Sequence, residues 1–352
     1  MVANVNKMAF VGEKPWWIGT SEDVGQGRDL GENPVTAKEM FEAAGLDWRV
    51  QLGSMRAEIT VDGKRITTTV PNLKAVVRED TRAVLGVATG RYEPVQNIAS
   101  MDFFDAVVGE GKAYYHTAGA IGAGEQVWIL ARLPQEIVIN GSDVVESYVL
   151  LVNSHQPGFA FRTHFTPIRV VCQNTLNIAV QQGEGKGYRL THFTGINKKL
   201  SVEDARKALG LAHDHLAIFG QQATELGQQG MKEEEIEGFL QRIFPIEPKY
   251  LLEAPKPNTL LLLKEPDPKD YVETSGWGEA TFKKRELVRN LFVNGKGNDN
   301  PDVAGTRWAA FNAVAEFTDY LDGWDKTRTK SLLFGNGQVT KQAAWDILTA
   351  AK

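Results

Sequence analysis

The 352-residue sequence predicts an α+β protein: a twisted antiparallel β-sheet core with packed helices, plus a helical C-terminal region. Three observations predict it. Short apolar-alternating segments from Trp48 to Phe193 are separated by brief turns, which favours antiparallel pairing over βαβ crossovers. Segments with helical periodicity take over after Ser201. Six of the fourteen prolines fall between residues 245 and 268, where the chain reads as an extended connection between two helical stretches.

The elements follow in order. Thr36 and Glu39 form a T-x-x-E capping box for a helix that buries Met40, Phe41 and Ala44 and stops at Gly45. Asp62-Gly63 is a two-residue hairpin signal between Ile59–Val61 and Ile66–Val70, because both turn positions tolerate positive φ. Lys74–Arg78 and Ala83–Ala88 make a second hairpin across Glu79-Asp80-Thr81. Asn97 is read as the cap of a helix whose inner face is Ile98, Met101, Phe104 (or Phe103) and Val108. Ala113–His116 and Gln126–Ala131 form a third hairpin, and Ile137–Ile139, Ser147–Val152, Ala160–Cys172 and Tyr188–Phe193 supply further strands. Ser201 caps a long helix with Leu209, Leu216 and Phe219 inward, and a second helix near Glu233–Ile243 ends at Pro245. Three further helices are expected from near Thr281, Thr306 and Thr340. The organisation is therefore an N-terminal arm and short helix (1–48), a β-rich core (49–195), a helical segment (196–245), a proline-rich linker (246–280) and a C-terminal helical region (281–352).

Composition narrows the function classes. An apolar fraction of 42% and a charged fraction of 24% are those of a globular protein. No apolar run approaches the ~20 residues of a membrane helix, and the N-terminus does not read as a signal peptide. One cysteine, Cys172, excludes an internal disulfide and a cysteine-rich zinc site. The net charge of −5 argues against coating nucleic acid through bulk charge, yet residues 49–92 and 155–212 carry +4 and +5 and allow a local basic groove.

The usual catalytic constellations fail one by one. Cys172 has His155, His164 and His192 near it in sequence, but its apolar flanks suit a small core residue better than a nucleophile. His213 and His215 are two apart on a helix and point away from each other. Gly119–Gly124 is followed by a strand where a phosphate loop needs a helix N-terminus, and Gly183–Gly187 lacks the full P-loop pattern. Glu247-Pro248-Lys249 lies among prolines, where no nuclease strand forms. No cofactor and no metal are expected.

Cations interleaved with rings point elsewhere. Lys74, Arg78, Arg82 and Arg91 lie on or beside one hairpin with Tyr92 adjacent; Arg162, Phe165, Arg169, Lys198 and Lys199 repeat the mix later. Cations track phosphates and rings stack unpaired bases, at ~1–3 kcal/mol per base. In the C-terminal region Lys283, Lys284, Arg285 and Arg289 give a basic helix face, and an amphipathic helix carries Trp308, Phe311, Val314 (or Ala315) and Phe317 near one face, an aromatic stripe that reads as core or subunit interface.

The segments Lys14-Pro15-Trp16, Ala44–Trp48, Arg169–Leu176 and Gly305–Val314 resemble the phage/plasmid-like protein family, a domain of unknown function (932) carried by phages, prophages and plasmids. Residues 49–195 are also similar in order to the β-β-β-α core of phage single-strand annealing proteins. That second resemblance implies a ring- or filament-forming homo-oligomer that binds and anneals single-stranded DNA in the bacterial host cytoplasm, without nucleotide hydrolysis. The other expectation is a protein-binding module that inhibits or recruits a host factor.

Overall fold

The computed structural model describes residues 5–12, 27–169, 188–192, 200–245, 277–321 and 336–350. The fold is α+β. The strands are β1 (Val5–Phe10), β2 (Gly27–Asp29), β3 (Val50–Val61), β4 (Lys64–Arg78), β5 (Val84–Thr89), β6 (Tyr114–Ile121), β7 (Gln126–Ile139), β8 (Asp143–Ser154), β9 (Phe161–Arg169) and β10 (Tyr188–Leu190). The helices are α1 (Ala37–Ala43), α2 (Asn97–Gly111), α3 (Val202–Gln228), α4 (Glu233–Ile243), α5 (Trp277–Asn294), α6 (Arg307–Glu316) and α7 (Asn336–Ala350); a π-helical turn, Phe317–Leu321, continues α6.

Two sheets result. The larger has the order β10-β9-β8-β7-β6-β1-β2, antiparallel except for the short β1–β2 pair; the smaller is the antiparallel meander β3-β4-β5. The segment read as an N-terminal arm thus supplies β1 to the body of the large sheet, against β6. The two hairpins expected between Ile59 and Ala88 share one strand: Ile66–Val70 and Lys74–Arg78 are both parts of β4, which gives the meander β3-β4-β5, followed by α2.

Helices α1, α2 and α3 pack on one face of the large sheet. One apolar cluster includes Ala9, Met40, Phe104, Ile129, Phe161, Phe165, Phe219, Trp308 and Leu348, so strands, long helix and C-terminal helices share a core. The opposite face buries a second cluster of Met8, Phe10, Ile121, Trp128, Leu130, Tyr148, Leu150, Val152 and Ile168. The β7–β8 turn locks the C-terminal region in place: the Asn140 amide donates to the carbonyls of Gly227 (2.6 Å) and Asp302 (2.8 Å), and Trp308 Nε1 donates to Asp143 Oδ2 at 2.6 Å.

Local chemistry explains the boundaries. Asp62 (φ 51°) and Gly63 (φ 73°) both take the left-handed conformation that a two-residue hairpin requires. Thr36 with Glu39, and Ser201 with Asp204, complete capping boxes. Asn97 does not cap α2; Gln96 holds that position. The Asn97 side chain is occupied instead in donating to Leu46 O (3.1 Å) and Trp48 O (3.4 Å) and accepting from His155. Ile98, expected inside, is 47% exposed, while Met101, Phe103, Phe104, Val107 and Val108 are buried.

The C-terminal expectations need two corrections. Trp308 to Glu316 are all buried, so α6 carries no amphipathic stripe; α3, α5 and α7 pack around it. The basic face of α5 is not free either. Arg285 is buried and donates from Nε and Nη2 to Phe244 O at 2.8 and 2.6 Å; Arg289 is paired with Glu237 and Glu286.

Candidate nucleic-acid interface

Three of the residues expected to meet nucleic acid are structural. Arg78, at the end of β4, is 4% exposed. Its Nε and Nη2 donate to the two carboxylate oxygens of Asp80 (2.7 and 2.9 Å), Nη1 donates to Ala123 O (2.8 Å), and the guanidinium lies 4.3 Å from the Trp48 ring centroid. Buried and with three of its five N–H donors engaged, this guanidinium is out of reach of a phosphate, and it holds the Asp80 carboxyl below the usual carboxylate range through a direct hydrogen bond. Phe165 is 1% exposed, packed against His215 and Phe219 in the core, and cannot stack a base. Tyr92 is 8% exposed, donates to Ser154 O at 3.4 Å and stacks on His192 at 5.3 Å; burial pushes its hydroxyl pKa up.

The remaining cations fall in different places. Lys74 lies half-buried on β4 opposite Ser54 and Ala88. Arg82 is exposed in the β4–β5 turn with φ 61°, and Arg91 is exposed just past β5. The Arg169 backbone ends β9 opposite Val145, and its side chain lies outside the described residues, as do Lys198, Lys199, Cys172 and the Gly183–Gly187 loop.

Arg162 occupies a different setting. The large sheet carries a register row Met8–Gly119–Trp128–Val152–Arg162–Arg189, running from β1 to the edge strand β10. Cross-strand partners share a face, so Arg162 and Arg189 project side by side where the second apolar cluster ends at Val152. Neither guanidinium pairs with a carboxylate among the described residues. Burial and the neighbouring Arg189 both lower the pKa of Arg162. Arg132 on β7 shows the contrast: it bonds Glu136 (2.6 Å) and Glu146 (2.7 Å), and although burial alone would lower its pKa, these carboxylates raise it. Like charges opposed on adjacent strands destabilise a sheet unless an anion sits with them. In this exposed dyad a bound anion would relieve the like-charge contact.

Phe159, 42% exposed, lies two residues before β9, and Arg91 precedes Tyr92, whose stack on His192 ties the end of β5 to the chain just past β10. Arg189 and Phe159 escaped the sequence reading. The signal that could have found Arg189 is the pairing of Tyr188–Leu190 with the start of β9, which brings it opposite Arg162.

A buried polar junction lies between the two sheets. His155, fully buried, holds Asn97 Oδ1 at 2.8 Å through Nε2 and meets Trp48 edge-on at 5.1 Å. Because the Asn97 amide nitrogen donates to two carbonyls, its oxygen accepts from His155, which puts the imidazole proton on Nε2. Nδ1 of His155 is then an acceptor with no donor. Burial pushes the His155 pKa down to about 3, with His192 and Arg78 adding to the shift. No group of three His, Cys, Asp or Glu among the described residues could hold a metal ion, and no described helix is long and apolar enough to cross a membrane.

No curated protein and no solved structure matches the chain. A family model does, over residues 84–345, which take in the dyad, the histidine junction and the helices through most of α7. On that match the chain belongs to the domain of unknown function family DUF932.

Proposed function

We propose that this protein binds single-stranded DNA and anneals complementary strands as a homo-oligomeric ring or filament, in a phage or plasmid setting inside the bacterial cytoplasm and without nucleotide or metal. The observation that carries the reading is the Arg162–Arg189 dyad, two arginines opposed on adjacent strands with no carboxylate paired to either among the described residues. A phosphate backbone relieves that repulsion by lying between the two groups. Phe159, exposed two residues before β9, offers a ring for an unpaired base, the role first assigned to Phe165. Arg91 and Arg82 are exposed at either end of β5, whereas Arg78 and Tyr92 are buried. Annealing requires charge neutralisation and base presentation, which these groups supply.

Fluorescence anisotropy with a labelled oligothymidylate tests the reading. Binding in the sub-micromolar range that weakens steeply with salt is expected. The double variant Arg162→Glu/Arg189→Glu is expected to lose most of the affinity, and Arg162→Ala/Arg189→Ala to flatten the logarithmic salt slope by roughly 1.4, at ~0.7 per phosphate contact on a single strand. A nucleotide-free strand-annealing assay should fail with the same variants. Absent binding, salt-insensitive binding, or binding indifferent to both substitutions would exclude the proposal.

A further inference from the structure

The smaller sheet ends in an unusual arm. β5 pairs with β4 only as far as Leu73–Thr89, so beyond that point β3 and β4 continue to the Asp62-Gly63 turn as a two-stranded ribbon. Nearly every residue of it is exposed, including Ile59 (49%), Val61 (44%) and Ile66 (45%). A two-stranded ribbon by itself is marginally stable in water, and among the described residues β3 is an edge strand, covered at its root only by the Gln96 side chain on Val50 and with neither proline nor lysine to blunt it.

The free edge has a definite hydrogen-bonding phase, fixed from both ends. At the tip, the residues flanking a two-residue hairpin turn, Val61 and Lys64, face each other in a hydrogen-bonded pair. Odd-numbered β3 residues therefore bond to β4, and Thr60, Glu58 and Arg56 direct their N–H and C=O groups outward. At the root, the Gln96 side chain accepts from Val50 N (3.1 Å) and donates to Val50 O (2.9 Å), occupying the outward groups of another even-numbered residue. The two ends agree.

With that phase, the edge is complementary to itself. We propose that two copies of this chain join by antiparallel pairing of their β3 edges about a two-fold axis at Ala57, giving a continuous six-stranded sheet. In this register Arg56 faces Glu58 of the second copy, twice by symmetry, through outward-directed backbone groups. Ser54 then meets Thr60, Met55 meets Ile59 and Gly53 meets Val61, polar with polar and apolar with apolar. A shift of the axis by one residue opposes Arg56 to Arg56 or Glu58 to Glu58, so charge selects the register. Within one copy Glu58 pairs with Arg65 at 3.5 Å, with both side chains largely in water, a pair that competes weakly. An isologous contact of this kind closes at two copies; a ring or filament needs a second, different surface in addition. The inference does not rest on the nucleic-acid reading, and its test contains no DNA.

Sedimentation velocity across the micromolar range is the measurement, with circular dichroism to verify the fold. The wild type should self-associate. Arg56→Glu alone and Glu58→Arg alone should each weaken association by roughly tenfold or more, since each places two like-charge contacts where two opposite ones stood. The double reversal Arg56→Glu/Glu58→Arg should restore it, and an equimolar mixture of the two single variants should associate as a hetero-pair. A wild type that stays monomeric, association that neither single reversal weakens, or a double reversal or mixture that fails to recover it would overturn the proposal.

Discussion

His155 shows how far one buried side chain can govern the response to pH. Its Nε2 proton is committed to Asn97, its Nδ1 has no donor, and burial holds its pKa near 3 against about 6.5 in an unfolded chain. Between those values the unfolded state binds the extra proton, so the stability that the neutral imidazole contributes is complete above pH 6.5 and is lost as the pH falls towards 3. Moving from pH 7.5 to 5.5 should remove about 1.4 kcal/mol through this residue alone. Urea unfolding at the two pH values checks it: His155→Gln lowers stability at pH 7.5 but shrinks the difference between the two pH values by about that amount. An unchanged pH dependence would mean that His155 takes up a proton without unfolding. At this scale the sequence shows residue type but not surroundings. Arg78 and Arg162 look alike as arginines on strands, and only the fold reveals that one spends its guanidinium on Asp80, Ala123 and Trp48 while the other faces Arg189.

Elements pack with little room to spare, and Gly119 is the tightest glycine position in the strands of the large sheet. A Cβ added there would stand 2.4 Å from Trp128 Cη2 and 2.8 Å from Lys7 O, with strands on both sides unable to retreat. Gly119→Ala should therefore cost about 1–3 kcal/mol and displace the Trp128 ring, read as a lower urea midpoint with an altered near-ultraviolet dichroism spectrum. A neutral outcome would require β1 to detach from β6, which proteolysis near the N-terminus would reveal. Much at this scale was legible. Hairpin turns such as Asp62-Gly63 and the capping boxes at Thr36 and Ser201 are local chemistry, written in two to four adjacent residues. What escaped depends on distant partners. β1 becomes a strand because β6 lies beside it, and α6 loses any wet face because three helices surround it. Asn97 leaves its expected cap because Leu46, Trp48 and His155 claim its amide.

The whole molecule reads as one cooperative unit in spite of the proline-rich stretch between 245 and 268. The apolar cluster that begins at Ala9 in the sheet continues through Phe165 and Phe219 to Trp308, Phe311, Trp345 and Leu348, so the C-terminal helices complete a core that the strands begin. Inside that shared core, Lys341 of α7 donates to Asp319 of the π-helical turn at 2.6 Å, with both side chains fully buried. Removing one partner leaves a charge in a low-dielectric interior, a loss of about 3–5 kcal/mol, whereas replacing both with apolar residues of similar volume is close to neutral. Lys341→Met should accordingly lower the stability of the entire chain by that amount, and Lys341→Met/Asp319→Leu should recover most of it. Because the core is continuous, the loss should appear in a single transition seen alike by far-ultraviolet dichroism and tryptophan fluorescence, with Trp48 and Trp128 reporting from the sheets and Trp308 and Trp345 from the helices. Two separated transitions in Lys341→Met, the helices melting first while the sheets persist, would show that the shared core does not couple them.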